Sequence, residues 1–387
     1  MGSVPISGDG QMSVDTLQPK TAELLRKIFY NQKMAWPAGL SAAIFLKEVS
    51  AQGIAPLLFH FLAEKNSDDW PLSLLADLRK ITLRQAALEL VQEVDLRNLL
   101  AAFAEIGVRP LLLKGTPLSH TLYPEIGLRP RCDTDLLIPK SAREKTAALL
   151  KRLGYKSLHE AEVEYIDSQM SYSREAAQGC FCCYDIHWQM NNNRQFSQNF
   201  FEERLLDNSI PIPSLGENAQ TMNMVDALLF SCFHRARHFA HNGGRLIWLY
   251  DIHLLSQVLT EQEVVIFFSR AKKLEIVTLC ADAIFCAQFW FGTVLPQVLE
   301  SLLREHAKYE ASTLLLKSGR HHGIKNHTLF ELKGLPTWRE RVLYLLQHAF
   351  PPAKYMAWRY NSRTAPFVFP WLYLKRFVEG MYIFLKR

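Results

Sequence analysis

Three aspartates stand where a chain would place metal-binding carboxylates. Asp133 and Asp135 open the short apolar run Asp133-Thr134-Asp135-Leu136-Leu137-Ile138, and Asp185 interrupts a second, Cys182-Cys183-Tyr184-Asp185-Ile186-His187-Trp188. Both runs have the length of strands, and Pro139 ends the first. Side chains two apart on a strand share a face, so Asp133 and Asp135 point the same way and repel unless a divalent cation sits between them. Carboxylate oxygens are the hard ligands that Mg²⁺ takes when it also meets phosphate. Asp185, on an apolar strand, needs a partner. Packed beside the Asp133 strand it becomes a third ligand, or the base for an attacking hydroxyl, with His187 on its face. An Asp-x-Asp pair alone is common in turns, and the surrounding order of elements is what gives this one meaning.

Other reactive types are less telling. His234 and His238 are four apart on a helical stretch, a spacing able to ligate metal, and His241 follows. No Glu completes a metalloprotease pattern, so capping or packing is the expected role. Asp251 with His253 is similarly ambiguous. Cys180 and Cys183 make one Cys-x-x-Cys with Cys182 between them, but no second ligand pair is present, and buried free thiols are expected.

The elements that must position these residues follow from periodicity. Amphipathic helices are predicted over Thr21–Asn31, Leu40–Ala51, Ala55–Lys65 and Leu72–Ile106. Gly107 closes the last, Val108–Leu113 reads as a buried strand, and Lys114-Gly115-Thr116-Pro117 turns into a helix to about Tyr123, with Thr116 as N-cap and Pro117 in its first turn. After the Asp133 strand come a helix from Ser141 to Leu153 and two strands, Glu162–Ser173 and Cys180–Met190, joined at Gln178-Gly179. A linker at Pro211-Ile212-Pro213 leads to helices Met222–Phe239, Arg245–Leu259, Glu261–Leu274 and Ile276–Phe291. A last helix after Pro370 carries Trp371, Phe377, Tyr382 and Phe384 with Lys375, Arg376, Lys386 and Arg387. Its aromatic stripe is expected to pack into a core, with peripheral membrane contact as the alternative. The expected fold class is α+β, mostly α: a small mixed-sheet core at 107–215 between helical lobes at 17–106 and 216–387, after a flexible lead at 1–16.

A Gly turn opening a helix, an Asp-x-Asp strand and a later lone Asp on a strand, in that order, resemble the DNA polymerase β-like nucleotidyltransferase superfamily. Leu113-Lys114-Gly115, Arg131-x-Asp133-x-Asp135-Leu136-Leu137, Gly154-Tyr155, Asp185-Ile186-His187-Trp188 and Trp248-Leu249-x-Asp251-Ile252 look, more narrowly, like the bacterial uncharacterised nucleotidyltransferase family, over roughly residues 20–300. Thr116 stands where the superfamily usually has Ser, keeping a hydroxyl, and the gap to Asp133 is longer. The resemblance implies two-metal phosphoryl-transfer chemistry with an NTP as substrate: two Mg²⁺ (or Mn²⁺) ions on the carboxylates of Asp133, Asp135 and Asp185, the last also helping to activate the acceptor hydroxyl. Lys114, Gly115, Thr116, Arg129 and Arg131 would then bind the nucleotide, through backbone N–H groups and positive charge. His187, His234, His238 and Asp251 are candidates for an acceptor pocket. The implied reaction moves an NMP to an unidentified small-molecule or macromolecular hydroxyl. Two alternatives stand beside it: a catalytically inactive nucleotide-binding or interaction module, and a His/Asp metal phosphohydrolase built on His234, His238 and Asp251.

The composition is compatible with all three. The chain has 387 residues, 49% hydrophobic and 21% charged, which argues against long disorder. A net charge of +6 is too mild to indicate nucleic acid. The seven cysteines form an odd set without a secreted framework, Met1-Gly2-Ser3-Val4 lacks a signal pattern, and no run of about 18 apolar residues is present, so a cytoplasmic location is expected.

Overall fold

The computed structural model describes residues 17–32, 35–63, 69–157, 169–177, 179–190, 205, 207–238, 244–307, 310, 312–316, 328, 329, 331–335, 337–353, 355, 356, 360 and 368–386. The expected lead at 1–16, the part of a predicted strand at 162–168, Gln178 and His241 lie outside these. The protein is α+β and mostly helical, with one seven-stranded mixed sheet. The chain divides into two compact units: residues 1–90, 114–131 and 224–320 form one, and residues 91–113, 132–223 and 321–387 the other.

The sheet belongs to the second unit. Its strands are β1 (Leu111–Leu113), β2 (Thr134–Leu137), β3 (Lys156–Ser157), β4 (Gln169–Ala177), β5 (Cys180–His187), β6 (Ile210–Pro211) and β7 (Gln220–Thr221), in the order β3-β4-β5-β2-β1-β7-β6. β2 runs parallel to β5 and antiparallel to β1. The sequence reading missed β6 and β7, where Pro211 borders a linker-like stretch. Pro is tolerated there because β6 is an edge strand. β1 begins only at Leu111, because Pro110 has no N–H to give the ladder.

Alternation divides the sheet into two faces. Leu112, Leu136, Tyr184, Ile186 and Tyr172 turn to a core built with Leu96, Leu99, Leu100 and Phe103 of α4 (Leu72–Glu105) and Leu149 and Leu150 of α6 (Arg143–Arg152). Buried Asp95 of α4 anchors this core from below: it accepts from the hydroxyls of Tyr155 (2.6 Å) and Tyr184 (2.8 Å) and pairs with Arg174. One face is thus fixed by apolar burial, and the polar residues must occupy the other.

The first unit holds α1 (Pro19–Phe29), α2 (Ala42–Ala51), α3 (Ala55–Ala63), the start of α4 and α5 (Gly115–Thr121). It also holds α7 (Met224–His238), α8 (Leu246–Val258), α9 (Glu261–Lys273), α10 (Val277–Phe291), α11 (Gln297–His306) and α12 (Thr313–Leu316). Rings of Phe29, Phe61, Tyr250 and Phe291 meet edge-to-face in its core. Two capping boxes stop fraying: Thr260 with Glu263 starts α9, and Thr337 with Glu340 starts α13 (Trp338–Ala349) of the second unit. No single helix among the described residues is long and apolar enough to cross a membrane.

One expectation fails at the C-terminus. Trp371 and Phe377 of α14 (Phe369–Lys386) are exposed rather than packed, as are Leu374 and Val378, while Leu372 is buried; the side chains of Tyr382 and Phe384 lie outside those described.

Candidate functional site

Asp135 of β2 and Asp185 of β5 are direct register partners on adjacent parallel strands, so their carboxylates leave the same face of the sheet. His187, two residues beyond Asp185, joins them. Its Nε2 lies 2.8 Å from Asp135 Oδ1, and one ligand atom from each of the three residues lies within 4.8 Å of the others. Asp135 and His187 are buried and Asp185 is half-buried. Two carboxylates held this close, one of them buried, repel, and a shared cation relieves that repulsion. The donor set of two carboxylates and an imidazole fits a divalent ion.

Asp185 is held in place by its neighbours on β4: Ser171 Oγ donates to Oδ1 (2.5 Å) and Gln169 Nε2 to Oδ2 (2.6 Å). Sequence reading missed both residues. The signal was present in the alternation Gln169-Met170-Ser171-Tyr172-Ser173, polar on one face and apolar on the other. Asp133 takes a different position from its expected strand site. Pairing of β2 with β5 begins at Thr134, which leaves Asp133 exposed just before the strand and outside the Asp135, Asp185 and His187 group. Its charge still reaches this face. Burial pushes the Cys183 thiol up, and the charges of Asp133 and Asp185 push it further.

The turn after β1 belongs to the first unit. Lys114 holds φ 58° and ψ −130°, a backbone state that L residues seldom adopt, and α5 begins at Gly115. Thr116 is therefore a buried helical residue and not the N-cap, a correction that follows from the backbone reversal at Lys114. Gly115 is required by a close approach: a Cβ there would lie 2.9 Å from the Arg129 Cζ. Arg129 is locked, with Nε 2.9 Å from Asp251 Oδ1 and Nη2 2.7 Å from Oδ2, and Tyr123 also donates to Oδ1 at 2.7 Å. Burial, then the Asp251 charge, pushes the Tyr123 hydroxyl well up. Arg131 pairs with Glu89 through Nε (2.9 Å) and Nη2 (2.6 Å).

The carboxylate of Asp251 is thus committed to Arg129 and Tyr123. The His234 ring meets Trp248 edge-on, His238 lies tilted against both, and burial, followed by the charges of His238, Lys114, Arg237 and Arg129, keeps His234 neutral. Among the described residues no group with metal-ligating geometry includes His234, His238 or Asp251. None of the seven cysteines forms a disulfide.

The sequence model of the uncharacterised nucleotidyltransferase family matches residues 41–292, well over half of the chain. The chain belongs to that family. That membership supports nucleotidyl transfer as the chemistry of the fold. The match spans β1, the Gly115 turn, β2, β5 and Asp251, and ends before α13 and α14. No curated protein matches the chain.

Proposed function

We propose that the protein transfers a nucleoside monophosphate from an NTP to a hydroxyl acceptor by two-metal chemistry, with the divalent cations held by Asp135 and Asp185 and, from its exposed position just before β2, by Asp133. The observation that carries this reading is the direct register of Asp135 with Asp185 beside His187, in a chain of a nucleotidyltransferase family. When bound, Mg²⁺ or Mn²⁺ supplies the positive charge that polarises the α-phosphate and shields the departing pyrophosphate. Ser171 and Gln169 fix the Asp185 carboxylate, and each oxygen keeps a lone pair for the cation or for the proton of the attacking hydroxyl. His187 orients Asp135 by donating from Nε2, or joins the carboxylates as a ligand in its other tautomer.

For the nucleotide we propose Lys114, Gly115, Thr116, Arg129 and Arg131. Lys114 supplies charge to the triphosphate, Arg129 acts by bracing the Gly115 turn, and Arg131, paired with buried Glu89, acts by holding the segment that leads into β2. His187, His234 and His238 are proposed for the acceptor side, and the acceptor itself is small-molecule or macromolecular. The test is pyrophosphate release from each of the four NTPs with Mg²⁺ or Mn²⁺ and a pool of hydroxyl acceptors, alongside NTP binding. Asp135→Asn should lower release by more than about a hundredfold with the fold intact. Release that is unchanged in both Asp133→Asn and Asp135→Asn refutes the carboxylate mechanism. Tight NTP binding with no release for any acceptor assigns the chain to the inactive binding modules.

A further inference from the structure

We infer that the C-terminal helix pair, α13 and α14, is a docking surface for an anionic lipid bilayer. On α13 the side chains of Trp338, Val342, Leu345 and Leu346 are exposed, with Phe350 just beyond its end. Their spacing of three and four residues is that of one helical face. On α14 the same spacing puts Trp371, Leu374, Phe377 and Val378 in water. Trp338 is 77% exposed, Trp371 68%, Phe350 64% and Phe377 61%, values that a helix buried in a soluble core does not show.

The two helices are tied together at this point. Arg376 Nη2 donates to the carbonyl of His348 (3.0 Å), Tyr373 donates to that of Pro351 (2.5 Å), and the Phe350 and Tyr373 rings lie 6.0 Å apart. The exposed stripes therefore belong to one braced pair of helices and do not arise from fraying at the chain end.

Charge identifies the occupant. Between residues 333 and 387 there are ten Lys and Arg against two Glu, so the chain's whole formal charge of +6 originates there and the remainder is slightly acidic. Arg339, Arg341 and Lys375 are themselves exposed beside the apolar stripes. Aromatic and aliphatic residues on one side with basic residues flanking them are what an interfacial helix needs: rings and methyls enter the headgroup boundary, and Lys and Arg meet lipid phosphates. A single-stranded nucleic acid would use the charge and the rings, but it has no use for Val342, Leu345, Leu346, Leu374 and Val378, which do not stack on bases. These helices lie outside residues 41–292, the segment that the family model matches.

The experiment is co-sedimentation of the full chain with extruded vesicles of phosphatidylcholine alone, or mixed equally with phosphatidylglycerol, at low and high salt. The expected result is binding to the mixed vesicles that is at least about tenfold tighter than to neutral ones and weakens with salt. Trp371→Glu/Phe377→Glu should abolish it, and Arg339→Gln/Lys375→Gln should weaken it about fivefold per side chain. Circular dichroism confirms that each variant is folded, and the charge variant decides alone if the aromatic one is not. Absence of binding to either vesicle overturns the inference, as does binding that both folded variants retain. Two further outcomes also overturn it: self-association in light scattering that Trp371→Glu/Phe377→Glu removes while vesicles stay unbound, and capture of single-stranded RNA in their place.

Discussion

Replacing Gly115 by Ala tests whether the turn after β1 is shaped by the Arg129 lock. The new methyl carbon would sit 2.9 Å from Cζ and 3.0 Å from both terminal nitrogens of Arg129, where ordinary contact begins at 3.4 Å. The guanidinium must retreat by about half an ångström to restore contact distance. It is not free to do so cheaply, because its Nε and Nη2 are forked onto the Asp251 carboxylate, which also accepts from Tyr123. Hydrogen bonds to charged groups contribute about 1.5–3 kcal/mol each, and stretching the fork without breaking it should cost about 2 kcal/mol of folding stability. Urea denaturation reads this as a shift of midpoint at constant slope. In an Arg129→Ala/Asp251→Asn background the obstacle is gone, and Gly115→Ala should be neutral or stabilise by about 0.5 kcal/mol through reduced freedom of the unfolded chain. A loss below about 0.5 kcal/mol in the wild-type background, or equal losses in both backgrounds, refutes the reasoning.

Two other perturbations follow from backbone strain and from burial. Lys114 at φ 58° carries strain of about 1 kcal/mol or more, so Lys114→Gly should raise the urea midpoint while lowering NTP affinity, measured by titration calorimetry; a fall in stability would show that the backbone there is unstrained. Burial lowers the pKa of His253, whose Nδ1 lies 2.9 Å from Thr293 Oγ1, from 6.5 to about 4. Between those values the unfolded chain binds a proton that the folded chain does not, so stability should fall by up to about 3 kcal/mol as pH drops from neutral to about 4, and no further from this group. His253→Gln should flatten that limb in urea titrations across pH, and an unchanged slope would remove His253 as its source.

The helices were legible because each is long enough to show a 3.6-residue period: α7 to α10 match their predicted spans to within two residues. Likewise, the apolar runs around Asp135 and Asp185 read as strands because alternation is a local property. Thr116 misled because its hydroxyl and the following Pro117 suit an N-cap, whereas the chain reverses two residues earlier, at Lys114. Nothing in the residue type of Lys announces a positive φ. The C-terminal stripe misled for another reason: periodicity shows that a face is apolar, and not what covers it.

The register of β4 shows most clearly where local information ends. Ala177 pairs with Cys180 across the hairpin, but an irregularity between Glu175 and Ala177 shifts the ladder by one residue, so that Ser171 meets Asp185 and Gln169 meets His187. Without that shift Tyr172 and Met170 would occupy those places and leave Asp185 beside apolar groups. By itself, the sequence determined which residues could share a face: Asp133 with Asp135, Asp185 with His187, Gln169 with Ser171. Only the tertiary structure decided that β2 lies parallel to β5, that Asp135 meets Asp185 while Asp133 stays outside, and that Arg129 is committed to Asp251. The physical reason is that a strand's period of two is the same whichever neighbour it pairs with. Partner and register are set by long-range burial of Leu136, Tyr184 and Ile186 against α4 and α6, which no local pattern encodes.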